Sequence, residues 1–169
     1  RVKRVAIVGL AAGTTVKLFS QAYGPIPIDG AELDPEIIAA GRAWFDMNEP
    51  NLNVIVQDGR WALAHSPRRY SVIGVDAYRL PYIPWNLTTR EFFAEARAHL
   101  TDDGVIVINV GRTFDDRRLI DALAGTLAPA RGRNRPQLWS ETRTWGLRTG
   151  RSKSLGMPGM VSSPMVPRR

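Results

Sequence analysis

Acidic residues recur just past apolar runs in this chain, and they are the residues best able to do chemistry. A tight turn of small residues, Gly9 to Gly13, follows the run VAIVG. Glu32 closes the next strand-like run, Asp58-Gly59 follows a third, and Asp76 follows a fourth. Asp34 is a further acid beside Glu32. Small residues at a turn let a ligand approach the backbone, and the helix after the turn offers N–H groups at its N-terminus. Close helix–strand packing is the equally simple alternative. The dinucleotide fingerprint is broken, since Ala11 and Thr14 stand where glycines are required.

Each acid suits a different partner. Glu32 lies 23 residues beyond Gly9, where a carboxylate at the end of a second strand accepts hydrogen bonds from a ribose diol. Asp58 can accept from an exocyclic amine, with Gly59 permitting close approach, or it can cap a helix. Asp76 is followed by a long loop rather than a helix, so a capping role suits it less well. Asp34-Pro35 reads as a helix start, Asp as cap and Pro at the first helical position. His65 and His99 read as surface or helix-end residues, without metal or triad spacing. No metal site is expected.

The elements that must position these residues alternate regularly. Strands are expected at 5–8, 28–33, 53–56, 71–75 and 105–110. Helices are expected at 13–22, at 34–46 with Ile37, Ile38 and Trp44 as its apolar face, and at 59–64. A further helix is opened by the capping-box pattern Thr88-x-x-Glu91 and ended by Thr101-Asp-Asp-Gly104. A last helix, 113–127, presents Leu119, Ile120, Leu123 and Leu127 on one side. Residues 77–87 read as an ordered loop. Five strand–helix alternations predict an α/β domain built on a parallel sheet, with right-handed crossovers.

The charge is unevenly placed. The chain has 169 residues and a net charge of +7. Residues 1–129 hold 14 basic and 15 acidic side chains, whereas residues 130–169 hold nine and one. The body, 1–129, therefore gives no reason to expect nucleic acid as a partner. The segment 130–169 reads as a basic, mostly irregular tail without function. A nucleic-acid arm using Trp139 and Trp145 is the alternative. Cysteine is absent, which excludes disulfides and thiolate chemistry and fits a cytoplasmic location. Apolar runs are too short for a membrane span. The chain lacks an initiator Met and starts four residues before a core strand, so it reads as a fragment.

Taken together, VAIVGLAAG, AELDPEII, VQDGRWAL, YSVIGVDAY, LTTREFF and HLTDDGVIVINV resemble the motifs of the spermidine synthase (polyamine aminopropyltransferase) family. The resemblance covers about residues 4–128. It implies the class I S-adenosylmethionine-dependent methyltransferase-like fold: a Rossmann-like open sheet, mostly parallel, with helices on both faces, here truncated at its last strands. It implies decarboxylated S-adenosylmethionine or S-adenosylmethionine as co-substrate and a small-molecule amine as acceptor. Gly9, Ala11, Gly13, Glu32, Leu33, Asp58 and Gly59 would bind the co-substrate. Asp76 would be the catalytic base, and Tyr78 and Arg79 would face the acceptor. A homodimer is the protein partner the family suggests. Two positions depart from the family pattern. Ala12 replaces the acid that holds the aminopropyl ammonium, and Arg79 replaces a second acid facing the amine. The alternatives are therefore a methyltransferase and a noncatalytic nucleoside-binding domain.

Overall fold

The computed structural model describes residues 1–78, 82–111 and 116–127, and the backbone of 144–148. Among the described residues six strands form one sheet in the order β3-β2-β1-β4-β5-β6. They are β1 (Val5–Val8), β2 (Ile28–Glu32), β3 (Leu52–Val56), β4 (Tyr70–Val75), β5 (Leu100–Asn109) and β6 (Thr144–Arg148). The first five are parallel, and β6 pairs antiparallel with β5. The strand β6 lies inside the segment expected to be mostly irregular; the rest of 130–169 is outside the described residues.

Among the described residues the α-helices are α1 (Thr14–Tyr23), α2 (Pro35–Trp44), α3 (Gly59–Ala64), α4 (Arg90–Ala98) and α5 (Arg118–Leu127). They cover both faces. Alternation along β1 explains why: Val5 and Ile7 join one core with Val16 of α1 and Ile38 of α2. Ala6 and Val8 join the other, with Leu63 of α3, Phe92, Phe93 and Ala96 of α4, and Ile120, Leu123 and Leu127 of α5. Strands buried on both sides need the near-continuous apolar runs seen in β1 and β4.

Several local expectations change. The buried face of α2 is Ile38 and Gly41, three apart on one side, whereas Trp44 is 83% exposed and Ile37 40%. Leu119 of α5 is likewise turned out, at 49%. The helix α4 is capped by Thr89, whose Oγ1 accepts from the Phe92 amide at 3.2 Å. Thr88 instead donates to the Trp85 carbonyl, closing a single 3-10 turn, Trp85–Leu87. Thr101 to Gly104 does not separate helix from strand, because β5 begins at Leu100 and runs through it. A register irregularity opposite Tyr70 and Val72 absorbs those residues. A side chain on Gly104 would meet the Tyr70 carbonyl at 2.8 Å.

Candidate functional site

The strand order creates the site. The chain places β2 and β3 on one side of β1, then crosses to place β4 and β5 on the other. Neighbouring loops therefore diverge where β1 and β4 end, which is where open α/β sheets bind ligands. Gly9 follows β1 and Asp76 follows β4, and the Asp76 amide donates to the Val8 carbonyl at 2.8 Å. The sheet thus brings together residues 67 positions apart in sequence.

Three glycines of the candidate site are explained by packing. Gly9 has φ +90°, and a Cβ there would lie 2.6 Å from the Ala77 nitrogen. Gly13, the N-cap of α1 at φ +86°, leaves room for Met47. A Cβ on Gly59 would collide with the Val8 side chain. Each absence of a side chain lets one loop close on another element of the protein.

Glu32 shapes the first turn. Its Oε2 accepts from the Ala11 amide at 2.9 Å, and its Oε1 accepts from the amides of Leu33 at 2.9 Å and Asp34 at 3.2 Å. Ala11 has φ +48°, a left-handed conformation that costs a non-glycine residue about 1–2 kcal/mol. The charge-assisted bond from its own amide helps to hold it there. Leu33, by contrast, leaves its side chain 66% exposed beside the turn. Asp34 is the helix cap expected of it, accepting from the Glu36 amide at 2.8 Å.

Asp58 also caps a helix, its Oδ1 accepting from the Trp61 amide at 2.9 Å. Its Oδ2 accepts from Asn86 Nδ2 at 3.3 Å, which joins α3 to the 3-10 turn after β4. Arg60 strengthens the same junction. It grips Glu95 of α4 through two bonds, of 2.8 and 2.6 Å, and donates to the Asn86 carbonyl at 3.2 Å. The bond from Arg60 holds the Glu95 carboxyl below its ordinary range.

Asp76 is exposed and meets β5: its Oδ1 accepts from Asn109 Nδ2 at 2.8 Å. Tyr78 crosses the same gap. Its hydroxyl donates to the Asn109 carbonyl at 2.8 Å and accepts from the Gly111 amide at 2.6 Å. Partial burial pushes the Tyr78 phenol above its usual range. Arg79 lies outside the described residues.

Asn86, Arg60, Glu95 and Asn109 were not among the residues singled out from sequence. Asn109 had only the faint signal of a polar residue near the end of the fifth strand, 105–110; what sets it beside Asp76 is the pairing of β4 with β5. Asn86 and the Arg60–Glu95 pair had none, because their partners are 26 to 35 residues away. His65 and His99 both lie at helix ends, each with Nδ1 bonded to a carbonyl one turn earlier. Among the described residues no group of three or more His, Cys, Asp or Glu is placed to hold a metal. No helix among them is long and apolar enough to cross a membrane. A cleft of about 580 Å³ opens at the opposite end of the sheet, where Arg4, Asp29, Asn53 and Arg68 line it.

The five parallel strands, with helices on both faces, define an α/β domain of the Rossmann-like, methyltransferase-like fold. No protein-family model matches the chain. It is 38% identical over 128 residues to a probable polyamine aminopropyl transferase of Bifidobacterium longum, a match covering 75% of this chain and 28% of that protein. It is 30% identical to the polyamine aminopropyltransferase of Vibrio vulnificus, over 73% of this chain and 42% of that one. Among solved structures, a probable spermidine synthase from Corynebacterium glutamicum superposes with a TM-score of 0.64 at 31% identity, covering 73% of this chain and 45% of that one. Human methyltransferase-like protein 13, solved in complex with SAH, shares the fold at a TM-score of 0.67 and 22% identity, over 92% of this chain and 76% of that one. The matched residues belong to the spermidine synthase (polyamine aminopropyltransferase)-like family. The chain spans less than half the length of the polyamine aminopropyltransferases and the spermidine synthase it matches.

Proposed function

We propose that this chain is the co-substrate-binding α/β domain of an aminopropyltransferase-like enzyme. It would bind an S-adenosyl sulfonium, decarboxylated S-adenosylmethionine or S-adenosylmethionine, and use a small primary amine as acceptor. The observation that carries this reading is the placement of Glu32, Asp58 and Asp76 at the carboxyl ends of β2, β3 and β4, around the crossover beside β1. The names of the curated relatives support the aminopropyl group as cargo. The SAH bound by the methyltransferase-like protein supports an adenosyl ligand for the fold.

The residues take distinct parts. Gly9, Ala11 and Gly13 line the turn that the ligand approaches, and Glu32 accepts from the ribose hydroxyls. Leu33 lies against the adenosine, and Asp58 with Gly59 meets the adenine edge. Tyr78 and Arg79 border the acceptor. An amine of this kind has a pKa of about 10 and is an ammonium at neutral pH. Asp76 accepts the proton, which frees the nitrogen lone pair. The nitrogen then attacks the carbon beside the sulfonium. An N–C bond forms, the C–S bond breaks with its electron pair staying on sulfur, and an uncharged thioether leaves.

One observation favours a second reading, methyl transfer from S-adenosylmethionine. The turn between β1 and α1 carries no acid, and Ala12 packs its Cα beside Gly41 of α2. An aminopropyl ammonium gains no carboxylate from that turn.

Calorimetry with S-adenosylmethionine, its decarboxylated form and methylthioadenosine tests the shared core of both readings. Heat from at least one is expected; silence with all three removes both. Identifying which sulfonium is consumed separates them. Turnover that Asp76→Asn leaves intact would take Asp76 out of the reaction.

A further inference from the structure

Asp76 is met by a residue from the neighbouring strand, and the contact has a definite polarity. Asn109 is the last residue of β5, 33 positions beyond Asp76. Parallel pairing of Val75 with Ile108 sets the two strand ends side by side. Asn109 Nδ2 then donates to Asp76 Oδ1 at 2.8 Å. The backbone of Asn109 is fixed independently, because its carbonyl accepts from the Tyr78 hydroxyl. That hydroxyl also accepts from the Gly111 amide, so Tyr78 spans the turn after β5. Asp76 Oδ2 has no hydrogen-bond partner among the described residues.

We propose that Asn109 is the positioning residue for Asp76, holding Oδ1 so that Oδ2 is the oxygen presented to the amine. This rests on the reading of Asp76 as proton acceptor. An exposed aspartate turns broadly about its terminal torsion. One directed hydrogen bond on one oxygen removes that freedom and assigns the two oxygens different tasks. A base fixed in a productive orientation before the amine arrives avoids an entropic cost at the moment of reaction. The amide donor is uncharged, so it orients the carboxylate without introducing a cation that would repel an incoming ammonium. Tyr78 acts one step further back, by fixing the backbone from which Asn109 reaches.

The test uses the whole 169-residue chain with Asn109→Ala and with Asn109→Leu, which keeps roughly the shape but removes the donor without adding a charge. Both are expected to lower kcat roughly ten- to a hundred-fold, the range of one lost positioning contact, with KM for the sulfonium donor unchanged. Loss of KM and thermal stability in step with kcat, or unchanged kcat in both variants, overturns the proposal. A second readout needs no turnover. The side-chain amide signal of Asn109 in the nitrogen–proton NMR spectrum is expected to stand apart from free asparagine and to move on Asp76→Ala. An Asn109 signal indifferent to Asp76→Ala overturns the pairing itself. A coupled signal together with sulfonium turnover that Asp76→Ala leaves intact overturns the catalytic role of Asp76, and with it the positioning role, while leaving the contact as structure.

Discussion

The backbone of Ala77 fills the space that a side chain on Gly9 would need. The two residues follow the ends of β1 and β4, and a Cβ on Gly9 would stand 2.6 Å from the Ala77 nitrogen and 2.8 Å from the Asp76 carbonyl carbon. Gly9 therefore sets how closely the segment carrying Asp76 can approach the first turn.

Gly9→Ala is expected to be costly twice over. The residue would sit at positive φ, and it would push against backbone rather than a yielding side chain. Left-handed strain and overpacking together amount to about 2–5 kcal/mol. Urea denaturation measures this, and a loss below about 1 kcal/mol would show that the two strand ends separate easily. Catalysis by the surviving folded fraction should fall further, because Asp76 moves with Ala77.

Glu32→Gln separates a charge from a shape. The amide cannot accept from Ala11, Leu33 and Asp34 at once, because one of its ends is a donor facing a donor. Affinity for an adenosyl ligand is expected to drop roughly ten- to a hundred-fold, about 1.4–2.8 kcal/mol. Calorimetry reads the change directly. Unaltered affinity would mean that Glu32 serves only the turn.

Acid should loosen the junction between α3 and α4. Arg60 lowers the Glu95 carboxyl from its ordinary value of 4.5, so the folded state favours the ionised form. The pair's stabilisation is complete above that value and is lost as pH falls through the lowered one. The pair is partly exposed and its net worth is about 0.5–1 kcal/mol. The stability difference between wild type and Glu95→Gln should be flat above pH 4.5 and shrink only below it. A difference that shrinks on going alkaline instead would contradict the assignment.

Tyr78 gives the opposite sign. Its phenol is raised above 10.0, chiefly by burial, so the neutral form is favoured by folding. The tie to the Asn109 carbonyl persists below pH 10.0 and is lost as pH rises through the raised value. An ultraviolet titration compared with Tyr78→Phe should show the missing phenol ionising later than free tyrosine. Ionisation at or below the free value would place Tyr78 in water rather than against β5.

Local patterns settled most of the architecture. Continuous β-branched and small residues in VAIV and SVIGV mark strands buried on two faces, and Asp34-Pro35 marks the start of α2. Periodicity was less reliable for faces. Ile37, Ile38 and Trp44 look like one stripe, yet only Ile38 is buried, and the residue that shares its buried face is Gly41, which lies against Met47 and Ala12. The capping register of α4 slipped by one residue because Thr88 and Thr89 are chemically equivalent caps. The 3-10 turn occupies Thr88 and leaves Thr89 to α4.

The row of acids after successive strands was determined by the sequence itself, since each follows an apolar run and the alternation of elements dictates a parallel sheet. What each carboxylate touches was decided only in three dimensions. Glu32 meets Ala11 across 21 residues, Asp58 meets Asn86 across 28, and Asp76 meets Asn109 across 33. Hydrogen bonds of such separation depend on strand order and register, which are set by packing of the whole sheet and leave no local trace in the chain. The acids were legible as positions; their orientation and the freedom of each oxygen belong to the tertiary structure.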